Sequence, residues 1–164
     1  MILASHIIIS GLLGSQTGNY FLAAVLGLAS HYILDAIPHW DYLSEEFETR
    51  AHTEKGFIKR KQFWRELINV AFDALLGLAL LFIFIRIDKN ANIVPAIIGA
   101  MFGVLPDPLG LLHWITKWKF LKWNSDLQKF VHYSIHSKIE QYFWPGIAIQ
   151  TATIGIVLLI LYRF

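Results

Sequence analysis

Cysteine is missing altogether from this chain. Disulfides and thiolate zinc sites are therefore excluded, and any metal must be held by His, Asp, Glu, Asn or backbone oxygen. Charge is scarce too: 16% of the 164 residues are charged, against 55% hydrophobic. The mean hydropathy is +0.49, and a soluble domain of this size is rarely so apolar. A net charge of +2 is too small to argue for nucleic acid as a partner. There is no glycine-rich phosphate loop and no dinucleotide fingerprint. Ser5, Ser10 and Ser30 lack the setting of a nucleophile elbow. The opening "MILASHIIISGLLG" has no Lys or Arg before its apolar part. It lacks the basic region of a signal peptide and is expected to belong to the mature fold.

What is present is long apolar runs. Residues 20–37, 66–87, 92–116 and 142–162 are each near the ~20 residues that cross ~30 Å of hydrocarbon. Residues 2–14 make a shorter fifth helix, joined to the next by the polar turn "SQTGN". The pattern predicts an all-α polytopic membrane protein, a single embedded domain over 1–164 with about five membrane helices. Two polar segments, 38–65 and 117–140, interrupt it. The second mixes lysines with Trp118, Phe120, Leu121, Trp123, Leu127, Phe130 and Val131, which reads as an amphipathic helix on the membrane surface. Together these segments hold eleven of the fourteen Lys and Arg. The positive-inside rule makes them cytoplasmic, with the N-terminus inside and the C-terminus outside a cell (inner) membrane. All six Trp then fall near the cytoplasmic interface, where membrane lipids are the expected partners.

An internal echo runs through the chain. "AAVLGLASHYILDAIP" (23–38) aligns without gaps over "PAIIGAMFGVLPDPLG" (95–110), at an offset of 72. Gly27 falls on Gly99 and Asp35 on Asp107. Glycine permits close helix approach, so the echo predicts a pseudo-symmetric helical core.

Ionisable groups inside apolar helices are costly, at least ~2.5–3.5 kcal/mol each on insertion scales. Here they recur: His6, His31, Asp35, Asp73 and Asp107, with His132 and His136 on the amphipathic segment. The topology brings all seven to one half of the membrane. "HYILD" and "HYSIH" each set two ligands one helical turn apart, the spacing of helix-borne metal sites. Pro106 and Pro108 around Asp107 are expected to break the helix and free backbone carbonyls. A divalent cation (zinc, manganese or magnesium) would neutralise the carboxylates and use neutral imidazoles. Seven ligands exceed the needs of one tetrahedral ion, so two ions sharing a carboxylate is a natural extension, and such sites suit phosphoester cleavage. Asn69, one turn before Asp73, is a further ligand or substrate contact. His39, Asp41 and His113 are placed nearer water, in a supporting role. His52, in a charged loop, is expected to be solvated. Taken singly, several of these have duller roles. Asp73 could anchor a loop cation, Asp107 could cap a turn, and His6 could bond a neighbouring helix.

These motifs resemble those of the YdjM-type membrane-bound metal-dependent hydrolases. "SHIIISG" is similar to that family's first His motif, with Ser5 in place of Thr. "LPDPLG" is similar to its acidic PD motif, "HYSIHS" to its His-x-x-x-His-Ser element, and "SHYILD" to its His-x-x-x-Asp element, which stands early here. The resemblance implies metal-dependent hydrolysis, with His6, His31, Asp35, Asp107, His132 and His136 at the metal. Two other functions fit the same residues: a cation transporter or channel-like protein, and a non-catalytic membrane protein whose metal staples helices.

Overall fold

The structure is a computed structural model that describes residues 2–40, 57–135 and 143–161. Among them are helices and turns and no strand. Seven α-helices follow in order: α1 Leu3–Ser15, α2 Tyr20–Asp35, α3 Lys61–Ile87, α4 Ile93–Val104, α5 Pro106–Thr116, α6 Lys122–Ile135 and α7 Phe143–Leu161. Among the described residues, three apolar helices are long enough to cross a membrane: α3, α4 continued into α5, and α7. The expectation of about five spans is therefore met only in part. α1 and α2 have 13 and 16 residues, a rise of about 20 and 24 Å. They are apolar but shorter than a span.

The short α1 is the centre of the molecule. Eleven of its thirteen residues are buried, the polar Ser5, His6, Ser10 and Ser15 among them, so the helix is enclosed by others on nearly every side. It packs between α2, α3 and α4, with α7 touching it as well. Ile7, Ile8 and Leu12 meet Leu81 and Ile85 of α3 and Ala96 and Ala100 of α4 in the main core cluster. The turn after α1 forms as its composition predicts. Asn19 caps α2, its side chain accepting from Leu22 N–H at 3.1 Å, which satisfies one donor left open by the helix start. At the same end, the Ser15 carbonyl accepts from Asn92 N–H at 2.9 Å.

The helices form two hairpins set side by side. Gly77 of α3 lies against Ala4, Gly11 against Leu81, and Gln16 donates to Asp88, so α1 and α3 run in the same direction. Gly27 lies against Gly99 and His31 bonds Gly103, so α2 and α4 also run together. A Cβ at Gly27 would run into the Gly99 carbonyl, and one at Gly99 into the Ser10 carbonyl. Backbones this close require glycine. The residues that match at the offset of 72 are thus the ones that meet in space: Gly27 with Gly99, His31 with Gly103, and Asp35 beside Asp107.

Outward faces are strongly apolar. Phe72, Phe82 and Ile87 of α3 are each more than half exposed, as are Ile156, Leu159 and Ile160 of α7. A band of this extent suits hydrocarbon rather than water as its solvent. α6 is the amphipathic helix expected from its sequence. Trp123 and Phe130 project outward while Leu121, just before it, and Asn124 are buried. Its Lys122 and Asp126 pair at 2.6 Å, and the ammonium holds the Asp126 carboxyl below its ordinary range.

The connection from α5 to α6 carries one strained residue. Lys117 ends α5 with φ 55°, in the left-handed region, where a Cβ costs roughly 1–2 kcal/mol and glycine is the usual occupant. Replacing Lys117 with Gly is expected to stabilise the fold by about 1 kcal/mol, measured as a rise in the thermal unfolding midpoint.

Candidate metal centre

Three helix ends build the site. His6 stands on the first turn of α1. His31 and Asp35 stand one turn apart on the last part of α2 and share a face. Asp107 stands in the first turn of α5. The helix directions described above bring these ends together. His6 is 1%, His31 0% and Asp35 2% exposed, so solvent does not solvate this carboxylate. His6 Nε2 lies 3.1 Å from Asp35 Oδ1. His31 Nε2 lies 3.1 Å from Asp35 Oδ2 and 3.6 Å from Asp107 Oδ1. One ligand atom from each of His6, His31 and Asp35 lies within 4.8 Å of the others. The two rings face each other at 4.5 Å between centroids, tilted by 30°.

The hydrogen bonds assign the tautomer of His31. Its Nδ1 lies 2.8 Å from the Gly103 carbonyl. A carbonyl only accepts, so Nδ1 carries the proton and donates. In the neutral ring Nε2 is then a lone pair, and it points among carboxylate oxygens. It is fully buried and makes no hydrogen bond, despite its close approach to Asp35. The Nδ1 of His6 is buried and without a hydrogen-bond partner as well. A lone pair facing carboxylates at 3.1 and 3.6 Å is repulsive unless a proton or a metal ion lies between them. An outer-face Nδ1–H bond to a backbone carbonyl is the usual way a protein orients a metal-binding imidazole. The donor set of two imidazoles and carboxylates suits zinc, manganese or a similar divalent ion. The residues therefore fit a cation.

The junction of α4 and α5 lies just before Asp107. α4 and α5 make one apolar helix of 24 residues interrupted at Leu105. Pro106 and Pro108 have no N–H to give to the turn before them. The carbonyls of Gly103 and Pro106 flank the junction. They accept from His31 and from Asn124.

Comparison with protein-family models, with curated proteins and with solved structures gives no match. The site is consequently read from its own chemistry.

The other expected ligands fall elsewhere. Asp73 is outside the cluster: its Oδ2 accepts from the Ala4 N–H at 3.0 Å. It satisfies one of the open donors at the start of α1. α3 begins at Lys61, five residues before the apolar run, so Asp73 stands about three turns into it. Asn69 is exposed, and its amide donates to Glu66 at 3.1 Å, which gives it no contact with the cluster. His39 is not near water: it is 1% exposed and its Nδ1 donates to the Ile37 carbonyl at 2.6 Å. His113 donates through Nδ1 to the Trp118 carbonyl at 2.9 Å and so stabilises the α5–α6 connection. The side chain of His132, and Asp41, His52 and His136 entirely, lie outside the described residues.

Four residues of the site region escape a reading based on charge. Tyr32, Asn124 and Gln128 form a hydrogen-bonded line that ends on Asp107. Gln150 of α7 is buried. Its Nε2 donates to the Trp40 carbonyl at 2.7 Å, and its Oε1 accepts from Ile2 N–H and from the Ser5 hydroxyl. It thus ties α7 to the end of α1 that carries His6. The signal available in the sequence was the spacing of Asn124 and Gln128, one turn apart in an aromatic-rich helix.

Proposed function

We propose that this chain is an integral membrane protein whose His6, His31 and Asp35 bind a divalent cation, with Asp107 completing the set, and that it is a metal-dependent hydrolase. The observation that carries the reading is the buried His31 Nε2, which faces Asp35 and Asp107 without a hydrogen-bond partner while Gly103 holds the ring from behind through Nδ1. One ion suits the three buried groups; a second would draw on Asp107, His132 and His136. Catalytic metal sites keep an open side, and here the approach to it runs past Asp107, whose side chain is 42% exposed. A divalent cation in such a site supplies a nucleophilic water at neutral pH and polarises a phosphoryl oxygen. The chain's own part is to hold the two imidazoles, exclude water on the α1 side and leave access past Asp107. The motif resemblance noted above supports hydrolysis, and the membrane setting supports a lipid-linked phosphoester as substrate.

The finer membrane arrangement belongs to the same proposal. About five membrane helices, α1 and α2 included, would place the N-terminus and the basic segments in the cytoplasm and the C-terminus outside the cell (inner) membrane, as the Lys and Arg distribution favours. The site would then open at the cytoplasmic leaflet, beside α6.

The test is elemental analysis of the purified protein, followed by release of phosphate-containing headgroups from mixed phospholipid vesicles, with and without chelator. The expected result is about one zinc or manganese per chain and turnover that chelator abolishes and metal restores. A protein that holds no divalent cation would overturn the whole reading. A second reading, cation passage, is favoured by the helix junction at Leu105 beside the site, since transporter ion sites are built at discontinuous helices. Metal-dependent cation flux into proteoliposomes without lipid turnover would establish it in place of hydrolysis.

A further inference from the structure

Asp107 raises a question of its own. Its side chain is 42% exposed, so packing does not hold it, yet its Oδ1 faces His31. A line of polar groups from α2 through α6 ends on that oxygen. The Tyr32 hydroxyl donates to Asn124 Oδ1 at 2.9 Å. Asn124 Nδ2 donates to the Pro106 carbonyl at 2.9 Å and to Gln128 Oε1 at 3.4 Å. Gln128 Nε2 donates to Asp107 Oδ1 at 3.2 Å.

The polarity of this line is forced. The Pro106 carbonyl can only accept, so Asn124 must turn its NH2 toward it and its oxygen toward Tyr32. The remaining Asn124 N–H meets the Gln128 oxygen, which turns the Gln128 NH2 to Asp107. Asn124 is 0% exposed, and a buried amide that gave up these partners would cost about 1–3 kcal/mol. Gly110 of α5 adds an independent sign. A Cβ there would lie 2.7 Å from Gln128 Oε1, so α5 carries no side chain where the Gln128 amide sits.

The geometry points to Gln128 as a positioning residue for Asp107: its amide, oriented by Asn124, holds the Asp107 carboxylate against His31 as the fourth ligand of the cation site. This rests on the cation reading above. Ligating carboxylates are commonly held by such outer hydrogen bonds, whose loss weakens metal affinity about 10- to 100-fold. The device also explains why α6, a surface helix, is fastened by a buried Asn to both α2 and α5.

The test is calorimetric titration of the full chain in detergent with zinc and with manganese ions. It compares wild type, Gln128→Leu, Gly110→Ala, Asp107→Asn and the double variant Gln128→Leu/Asp107→Asn. Gln128→Leu is expected to weaken binding by about 10-fold. Gly110→Ala, which alters no polar group, is expected to weaken it in the same direction by displacing the amide. In the Asp107→Asn background, Gln128→Leu is expected to change nothing further. Unchanged affinity in Gln128→Leu and Gly110→Ala, with wild type still binding, would overturn the assignment alone. So would an equal loss from Gln128→Leu in both backgrounds, since that is how a merely structural role of α6 would read. If wild type binds neither ion, the cation reading fails and the positioning role with it. If Gln128→Leu does not fold, the Gly110→Ala titration decides.

Discussion

Asp35→Asn is expected to abolish the response to metal while leaving the metal-free protein no less stable. The two halves of that result have different causes. A carboxylate 2% exposed carries a desolvation cost of several kcal/mol, and with both rings neutral only His6, its Nε2 at 3.1 Å, can donate to it, which offsets that cost only in part. Asn keeps the size and removes the charge, so the metal-free variant has less to compensate. With a cation present the balance reverses. Wild type at 100 times its Kd gains about 2.7 kcal/mol of stability from binding, and the variant, deprived of its central anionic ligand, gains none. The measurement is a pair of thermal unfolding curves for each protein, with chelator and with zinc. A structural ion pair predicts the opposite signature. Removing one partner of a buried pair then costs about 3–5 kcal/mol with chelator present, and zinc moves neither protein.

Much of this centre is legible in the sequence because its rules are local. His31 and Asp35 share a face by helical spacing alone, whatever packs against them. The close approach of α2 and α4 is legible through the echo, since Gly27 makes room for the Gly99 backbone and Gly99 in turn for that of Ser10 in α1. Asp107 between two prolines announces a helix junction, and one lies at Leu105, although that residue keeps helical dihedrals. The proline effect is a covalent one that tertiary context does not remove.

What is not legible depends on direction rather than on position along a helix. Asp73 lies in an apolar helix like Asp35, and its depth gives the same prior for both. The structure separates them because Asp73 faces the open N–H groups at the start of α1, a second way to satisfy a buried carboxylate. His39 stands next to Trp40 and Asp41, which reads as an exposed stretch, but the chain folds it inward and gives it the Ile37 carbonyl. Asn124, Gln128 and Gln150 carry no charge, so a search for charges inside apolar runs passes over them. Their burial shows only when the neighbouring helices are in place. The length of α1 misleads in a related way. Thirteen residues look like a partial span, whereas their near-complete burial makes the helix the strut around which α2, α3 and α4 assemble.

Gly27→Leu is expected to disrupt the fold at a distance from the centre and to take the centre with it. The Cβ alone would run into the Gly99 backbone, and a backbone carbonyl cannot rotate away as a side chain can. The helices α2 and α4 must then separate. Overpacking of this kind costs about 3 kcal/mol or more, which a marginally stable domain of 5–15 kcal/mol registers as a large fall in unfolding midpoint. One turn further along the same seam, His31 donates to the Gly103 carbonyl. Helices pushed apart at Gly27 lengthen that bond, release the ring, and leave Nε2 without its fixed aim. Gly27→Ala, the smallest step, is expected to retain the fold and to weaken zinc binding although Gly27 touches no ligand. The control is Gly18→Ala, at a position where a Cβ would meet nothing within 4 Å; there neither stability nor zinc affinity is expected to fall. If Gly27→Ala melted lower but bound zinc with unchanged affinity, the seam would serve stability alone. Orientation of His31 would then come from α2 by itself.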